Sequence, residues 1–358
     1  MKNKKKIQKL IKSSKAVISD CALENGAIVA ANTDKSYYPR EAGNYRYVWP
    51  RDASFICLAG KYLNLSLAEK FLVWLYKKPE DFKKEKLLYA NYSTNGRIAS
   101  LGSQFEPDQM GIVLWLIHFL YKDNLNNALK HQALIKRLAE GLCQAWNKTY
   151  FLPNTLDLWE DGFRKTSSVM ENNFTYSLAA CARGLLCAHE IIPNKNWEKT
   201  AKQMISEIEE AYSKEFGYFL RNCGRICDKN IDASLVGLVW PFEIISPKDE
   251  RIIKTIKKIE QNIVVSGGVH RFQFDYFDSE GTAWEGGGAW PVLNFWLAIY
   301  WHLAGHKKKA ESYYQWVIER VDKYIPEQIF QDFRQGISPL AWSHAMFIIA
   351  SHYLGYLK

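Results

Sequence analysis

Residues 45–55 read YRYVWPRDASF, and this stretch marks a boundary that recurs along the chain. Pro50 interrupts a helix just where the next apolar segment begins one. The corner also brings together an indole ring, Trp49, and two opposite charges, Arg51 and Asp52. A loop should therefore end here with chemically useful side chains, and a helix should follow.

The rest of the chain repeats this change from loop to helix. Apolar residues recur at helical spacing in about twelve segments, and the alternation typical of strands is scarce. The sequence therefore predicts an all-α protein. The predicted helices span 5–23, 52–63, 66–77, 109–122, 126–146, 172–190, 195–213, 232–240, 248–262, 289–303, 307–322 and 339–356.

The connections between these helices alternate in length. Short turns follow the even-numbered helices, such as AGHK near Gly305. Long loops follow the odd-numbered helices, and they cover about 24–51, 78–108, 147–171, 214–231, 263–288 and 323–338. Since successive helices run antiparallel, all long loops should emerge at one end. Six such hairpins predict a closed double ring, an (α/α)6 barrel with one elaborated mouth where function is expected to collect.

Composition places the chain among ordinary globular proteins, with 47% hydrophobic and 24% charged residues. No linker or low-complexity segment stands out, so we expect one domain over residues 1–358. Much of the net charge of +9 lies in the opening MKNKKKIQKLIKSSK, with residues 1–15 as a basic arm or the start of the first helix. The remaining charge is spread over helix faces, which indicates a solvated surface rather than a nucleic-acid site.

Other classes of protein are disfavoured by what the sequence lacks. No apolar run reaches the roughly 18 residues of a membrane span, and the basic start is not followed by a signal-type apolar core. We therefore expect a cytoplasmic protein without a membrane partner. Seven Cys without a metal-type cluster indicate reduced thiols, among them Cys223 and Cys227. Histidines 270, 302, 306 and 344 do not show the spacing that metal-binding motifs have, so no metal or cofactor is predicted. The sequence carries no prediction of oligomeric state.

The third long loop contains LDLWED, with Glu160 between Trp159 and Asp161. A carboxyl beside an indole and close to like charges is hard to ionise, and a raised pKa suits a general acid that works near neutrality. The same letters would equally suit a surface turn with a packed Trp. Glu160 is the candidate acid on this reasoning.

The sixth long loop contains IPEQIF, where Glu327 follows a proline and precedes Gln328. Glu327 could serve as a general base, with Gln328 orienting a water or a hydroxyl. A glutamate after proline is also common in the first turn of a helix. Spacing alone leaves both interpretations open.

The fifth long loop, with the first residues of the helix that follows it, is the richest. It offers Arg271, Asp275 and Trp290, and the glycines at 286–288 let the backbone pass close to a ligand or into the next helix. No Lys-Ser/Thr follows these glycines, so a phosphate loop is not indicated. What remains is a mouth of carboxylates, arginines and tryptophans.

Two carboxylates that flank a bond are the standard machinery of glycoside hydrolysis, in which one donates a proton and the other activates water. Sugars also need stacking rings and charged groups that bind several hydroxyls. On this hypothesis Arg51 and Asp52 grip hydroxyls at the bottom of the mouth, while Trp49 is an apolar wall.

In this order, the motifs resemble those of glycoside hydrolase family 15, the glucoamylase-like family. YRYVWPRDASF resembles its first signature, and LDLWE its general-acid region. GGVHRFQFDYF and GGAWPVLNFWLA resemble its glycine and arginine region, and IPEQIF with SPLAWSHA its general-base region. The likeness extends from about residue 25 to 355. The family's catalytic domain is an (α/α)6 barrel, in agreement with the helix pairing.

The resemblance implies specific roles. Glu160 would protonate the glycosidic oxygen, and Glu327 would activate water on the opposite face of the sugar. Arg51 and Asp52 would hold the hydroxyls of the terminal glucose. Further positions would be Trp159 and Arg271 in the same subsite, and Trp49, Asp161, Asp275 and Trp290 as walls or supports. An inverting, exo-acting α-glucosidase is the function this implies.

The chain also departs from the family's pattern. Many prokaryotic relatives carry a β-sandwich domain ahead of the barrel, whereas this chain starts almost at the first helix, so we expect soluble oligosaccharides or glycogen ends as substrates. FRKTSS after the acid differs from the stretch expected in a glucoamylase. The linkage therefore stays open among α-1,4, α-1,6 and trehalose. A non-catalytic glucan-binding or regulatory protein is the alternative from another class, and retention of both Glu160 and Glu327 argues against it.

Overall fold

The structure is a computed structural model, and it describes residues 2–39, 43–99, 104–161, 166, 169–225, 227–275, 287–331 and 336–357. Within these residues the chain forms twelve α-helices and two 3-10 helices, with three short strand pairs in the loops. The α-helices are α1 (Lys2–Cys21), α2 (Pro50–Tyr62), α3 (Ala68–Lys77), α4 (Phe82–Glu85), α5 (Pro107–Tyr121), α6 (Gln132–Ala145), α7 (Thr175–Ile191), α8 (Lys195–Glu210), α9 (Glu250–Asn262), α10 (Pro291–Leu303), α11 (Lys307–Arg320) and α12 (Ala341–Tyr353). The 3-10 helices span Leu125–His131 and Ala233–Leu238.

Six of these helices form a closed inner ring. Going round the ring, α2 packs against α5, α5 against α7, α7 against the 3-10 helix Ala233–Leu238, and this helix against α10; α10 then packs on α12, and α12 on α2. The inner α-helices are buried around most of their circumference. An outer ring of α1, α3, α6, α8, α9 and α11 covers them through one apolar face each. The predicted all-α (α/α)6 barrel is confirmed.

The structure corrects three details of the helix prediction. The segment predicted as a helix at 232–240 is the 3-10 helix Ala233–Leu238, which closes the inner ring in place of an α-helix. The predicted helix 126–146 consists of the 3-10 helix Leu125–His131 followed by α6. The long loop at 78–108 contains the one-turn helix α4, which the sequence analysis missed.

Two glycines set the spacing between α5 and α7. A Cβ atom added to Gly111 would lie 2.3 Å from the carbonyl oxygen of Ala180, and one added to Gly184 would lie 2.4 Å from that of Gly111. Real Cβ atoms do not approach a backbone this closely, so any side chain here would push the two helices apart. The inner ring can therefore close only because both positions lack a side chain.

The long loops are held by short antiparallel pairs of strands. The pairs are β1 (Asn173–Phe174) with β4 (Asn222–Cys223), β2 (Tyr212–Ser213) with β3 (Tyr218–Phe219), and β5 (Val264–Val265) with β6 (Gly268–Val269). These loops lead into the N-terminal ends of the inner helices, which therefore meet at one end of the barrel. No described helix combines the length and the apolar content that a membrane crossing requires.

Candidate active site

The mouth of the barrel contains a cavity of about 990 Å³. It lies where the long loops meet the first turns of the inner helices, and its size matches the upper range of small-molecule sites, about 300–1,000 Å³. All ten site residues predicted from the sequence line this cavity: Trp49, Arg51, Asp52, Trp159, Glu160, Asp161, Arg271, Asp275, Trp290 and Glu327. The structure therefore brings them together, although their roles stay predictions.

Arg51 is the buried cation of the site. Its Nη1 donates to Glu106 Oε2 at 2.9 Å and to Asp108 Oδ2 at 3.3 Å, and its Nε donates to Asp52 Oδ1 at 3.3 Å. Its Nη2 lies 3.8 Å from Glu160 Oε1. Burial by itself would lower the pKa of Arg51, but the four carboxyl groups raise it by more. The pKa ends well above its ordinary value, so the guanidinium stays charged.

The first turn of α5 caps that of α2. The backbone N–H of Arg51 has no acceptor within its own helix, and it donates to Gln109 Oε1 at 2.5 Å. The amide nitrogen of Gln109 donates to Glu106 Oε2 at 2.6 Å and to the carbonyl of Ala90 at 2.9 Å. Pro50 and Pro107 each occupy the first position of their helix, where a missing N–H costs nothing. Arg51 is thus fixed at both its backbone and its side chain.

Glu160 stands at the end of a tight turn. Its N–H donates to the carbonyl of Asp157, and its φ of 55° lies in the left-handed region that side chains other than glycine rarely adopt. Such strained residues concentrate at functional sites. The indole Nε1 of Trp49 donates a short hydrogen bond to Glu160 Oε1. The side chain is 27% exposed and lines the cavity.

The electrostatics around Glu160 favour its protonated form near neutrality. Burial raises the pKa of Glu160 to about 7, against the lowering effect of Arg51 and of the Trp49 hydrogen bond, and Asp52 and Asp108 add to the rise. Burial also raises the pKa of Asp52 to about 6, although Arg51 opposes this. Glu160 can therefore hold a proton at a pH where an ordinary carboxyl has lost it.

Trp159 is anchored from behind by a second buried ion cluster. Its Nε1 donates to both carboxylate oxygens of Asp232, at 3.1 and 3.2 Å, and its backbone N–H donates to Asp157 Oδ1 at 3.2 Å. Arg221 Nη1 donates to Asp157 at 3.3 Å and to Asp232 at 3.4 Å, while its Nε donates to Asp228 at 2.6 Å. The turn that carries Glu160 is thereby attached to the loop after α8.

Arg271 completes the wall next to Trp159. Its Nε and Nη2 donate to the two oxygens of Asp275 at 2.6 and 2.7 Å, a bidentate pair that fixes the guanidinium plane. The guanidinium carbon lies 5.7 Å from the ring centre of Trp159 and 4.9 Å from that of Trp290. The two indoles meet edge to face, with ring centres 5.8 Å apart. Asp275 is therefore a partner of Arg271.

Glu327 reaches the cavity from a backbone segment held on both sides. Its N–H donates to the carbonyl of Ile337 at 2.8 Å, and Ile329 pairs with Ala289 just before α10. Burial lowers the pKa of Arg271, whereas Asp275 and then the charge of Glu327 raise it. Glu327 is 5% exposed and borders the same cavity as Glu160.

Gln328 does not fit the expectation that it would orient a water or a hydroxyl. It is fully buried, and its Oε1 accepts the N–H of Gly288 at 3.1 Å. A Cβ atom on Gly288 would lie 3.0 Å from the Cβ of Gln328. One of the predicted glycines thus serves close packing beside Glu327. Gly286 and most of FRKTSS lie outside the described residues.

The described residues contain no group of His, Cys, Asp and Glu side chains arranged to hold a metal ion. Cys223 and Cys227 are free thiols with their sulfurs 3.3 Å apart.

His344 is a buried packing residue. Its Nε2 accepts the N–H of Ile325 at 3.0 Å, so its Nδ1 carries the proton toward Ser14 Oγ at 2.8 Å. This bond fixes the chain two residues before Glu327.

The sequence analysis missed Glu106 and Asp108, which are both fully buried. A signal for them was present, because EPDQ resembles WPRD: in both, a proline at the start of an inner helix is followed directly by a charged residue. The helix was predicted to begin at 109, two residues after its true start. Cavity walls that the sequence analysis did not single out include Tyr45, Tyr47, Phe272, Phe274 and Trp342.

The mouth of this helical double ring holds carboxyl groups and tryptophans, which are the groups that glycoside hydrolysis and sugar stacking use. The model of glycosyl hydrolases family 15 matches residues 2–323, and the chain therefore belongs to this family.

Three proteins similar to this chain carry the names of sugar-hydrolysing enzymes. An uncharacterized glycosyl hydrolase of Methanocaldococcus jannaschii is 29% identical over 92% of this chain, which spans about half, 53%, of that relative. The isomaltose glucohydrolase of Kribbella flavida is 25% identical and matches 98% of this chain and 94% of its own length. A solved glycosidase variant in complex with glucose shares the fold, with a TM-score of 0.81 and 23% identity over 99% of this chain and 98% of that chain.

Proposed function

We propose that the chain is an inverting, exo-acting α-glucosidase that releases glucose from the non-reducing ends of α-linked gluco-oligosaccharides or of glycogen and dextrin. The observation that carries this proposal is the pairing of Glu160 and Glu327 on one cavity. Burial raises the pKa of Glu160 to about 7. A protonated carboxyl and a second carboxyl on the same cavity are what acid and base catalysis of glycoside hydrolysis requires.

The reaction follows from these two groups. Glu160 gives its proton to the glycosidic oxygen as the bond from that oxygen to the anomeric carbon breaks. Glu327 takes a proton from a water molecule whose oxygen attacks the anomeric carbon from the opposite face. The products are β-glucose and the shortened oligosaccharide, with Glu160 ionised and Glu327 protonated. One proton exchange with solvent restores the starting state.

The surrounding residues suit a terminal glucose unit. Asp52 presents a carboxylate to the cavity, and the rings of Trp49, Trp159 and Trp290 provide apolar faces that sugars stack on. Arg51 already donates from Nη1 and Nε to carboxylates, which leaves Nη2 as its donor toward substrate. We therefore assign most direct hydroxyl binding on this side to Asp52, with Arg51 holding the carboxylates in place.

An α-1,6 linkage is the second candidate. The relative that matches almost all of this chain and almost all of its own length is an isomaltose glucohydrolase, whereas the chain spans only about half of the Methanocaldococcus jannaschii relative. Isomaltose and isomaltotriose therefore belong in any substrate panel beside maltotriose and trehalose.

Proton NMR of the anomeric signals tests the proposal. The purified protein is incubated with each sugar, and the first product is observed before mutarotation mixes the anomers. Early β-glucose would support an inverting glucosidase and identify the linkage. Early α-glucose from maltotriose or isomaltotriose would overturn inversion, whereas inverting cleavage of trehalose releases one β-glucose and one α-glucose. Binding without release would favour the non-catalytic alternative. Glu160→Gln and Glu327→Gln should each lower turnover by at least ~10²-fold while the circular dichroism spectrum stays unchanged.

A further inference from the structure

Asp108 is a fully buried carboxyl that no sequence motif singled out. It lies in the first turn of α5, next to Pro107, and none of its surface is exposed. Its Oδ2 accepts from Arg51 Nη1 at 3.3 Å. Arg51 Nη2, on the other arm of the same guanidinium, lies 3.8 Å from Glu160 Oε1. Asp108 and Glu160 thus meet on one cation.

Two features of its position stabilise Asp108 as an anion. The N-terminal end of α5 carries the positive end of the helix dipole, which favours a carboxylate in the first turn. Arg51 supplies a full positive charge in direct contact. Burial raises the pKa of Asp108 above its ordinary value, and Arg51 and a backbone hydrogen bond limit this rise. Its negative charge is felt in turn by Tyr176 and Cys181 on α7, whose pKa values are raised first by burial and then by Asp108.

We propose that Asp108 is a positioning residue for hydrolysis: it holds Arg51 in place, and its buried negative charge offsets the pull of Arg51 on the acid proton of Glu160. This inference rests on the proposed function, because it takes Glu160 as the general acid. Asp108 lies behind Arg51 and reaches substrate only through it.

Several titratable groups besides Asp108 surround Glu160, and a test of Asp108 has to separate its effect on the pKa of Glu160 from theirs. Asp52 on α2 carries a like charge, and Arg51 carries the opposite one. Glu106 before α5, and Tyr176 and Cys181 on α7, interact with the cluster from the neighbouring elements. The charged groups Arg271, Asp275, Asp161 and Glu327 line the same cavity. Among all these groups, Glu106 contacts the same nitrogen of Arg51 as Asp108 does.

Glu106 provides a matched control. It is as buried as Asp108, and it accepts from Arg51 Nη1 at 2.9 Å. Burial, and then the charge of Glu160, raise the pKa of Glu106 well above its ordinary value. Glu106 therefore gives up its proton less readily than an ordinary carboxyl. Glu106→Gln and Asp108→Asn each keep an oxygen acceptor beside the same guanidinium nitrogen, but Glu106→Gln replaces the carboxyl group whose protonated form is more strongly favoured.

The test is the pH dependence of kcat/KM for Asp108→Asn, Glu106→Gln and the wild type. A general acid works only while protonated, so activity falls as pH rises through its pKa. Without the negative charge of Asp108, Arg51 draws the proton off Glu160 more easily. Asp108→Asn should therefore move the falling limb at least about one pH unit lower. Glu106→Gln should keep the wild-type limb.

An activated substrate separates this role from general damage. Hydrolysis of α-glucosyl fluoride needs little protonation of the leaving group, so Asp108→Asn should lose much less activity on the fluoride than on an oligosaccharide at pH 8. An unmoved limb in Asp108→Asn, or an equal movement in Glu106→Gln, would overturn the inference. Asp108→Ser is the substitute if the asparagine variant does not fold.

The outcomes also separate this inference from the proposed function. A wild-type protein that releases no glucose from any α-glucoside contradicts the function itself. An active wild type that depends on Glu160, combined with an unmoved limb in Asp108→Asn, contradicts the role of Asp108 alone.

Discussion

The hydrogen bond from Trp49 to Glu160 should set the upper pH limit of activity. Trp49→Phe keeps an aromatic wall but removes the indole N–H that donates to Glu160 Oε1. This bond stabilises the ionised carboxylate and is one of the two main effects that hold the pKa of Glu160 down at about 7. Without it, Glu160 should keep its proton to a higher pH.

The size of the effect follows from the geometry. A hydrogen bond to a charged group contributes about 1.5–3 kcal/mol, and the half-buried position of Trp49 favours the lower end of that range. Since one pKa unit corresponds to about 1.4 kcal/mol, the falling limb of the pH profile should move about one unit higher. The rate at the optimum should fall as well, because the carboxyl loses a contact that orients it.

The assay is kcat/KM from about pH 4 to 9 on the best substrate of the NMR panel. Trp342→Phe is the matched control: Trp342 lines the same cavity with its ring 5.5 Å from the guanidinium carbon of Arg51, and its Nε1 has no hydrogen-bond partner among the described residues. A limb that stays in place in Trp49→Phe, or moves to lower pH, would refute this reasoning. So would an equal upward movement in the control.

Three further predictions concern the support of the site. Asp232→Ala releases the indole of Trp159, and we expect KM to rise about tenfold, the equivalent of about 1.4 kcal/mol, with a change in tryptophan fluorescence. An unchanged KM would show that the anchor is dispensable. Gly111→Ala forces α5 away from α7 and should lower the free energy of unfolding, measured with urea, by about 3 kcal/mol. A decrease below about 1 kcal/mol would contradict the close crossing of the two helices. Burial lowers the pKa of His344 to about 3, whereas the unfolded chain protonates near 6.5. Stability should therefore be lost as pH falls from about 6.5 toward 3, by up to about 1.4 kcal/mol per unit, and His344→Gln should flatten that slope.

The sequence predicted the parts of the site that lie in motifs at loop ends. Glu160 and Glu327 belong to different long loops, and only the pairing of helices indicated that the two loops share one end of the barrel. That inference rested on the alternation of short and long loops along the chain, and it did not require knowing how the helices pack. The roles carried over from the family resemblance then fell on residues that line one cavity.

Glu106 and Asp108 escaped the sequence analysis for a physical reason. Charged residues at a helix start are usually solvated, and nothing in EPDQ shows that Arg51 from another helix reaches them. Glu106 and Asp108 are buried because the first turns of α2 and α5 meet. The inner helix at 232–240 was misjudged for a similar reason, because an apolar segment of this length fits an α-helix or a 3-10 turn equally well, and its packing between α7 and α10 decides.

The acid-rich mouth of a chain with a net charge of +9 follows from the barrel itself. The inner α-helices point their N-terminal ends at one place, and each end carries roughly half a positive elementary charge. Carboxylates between these ends stabilise the ring, so the fold favours negative charge where hydrolysis needs an acid and a base. Arg51 adds a further positive charge there, and Asp52, Glu106 and Asp108 hold it in place. These positive charges favour ionised carboxyl groups, whereas burial and the like charges of Asp52 and Asp108 keep the proton on Glu160.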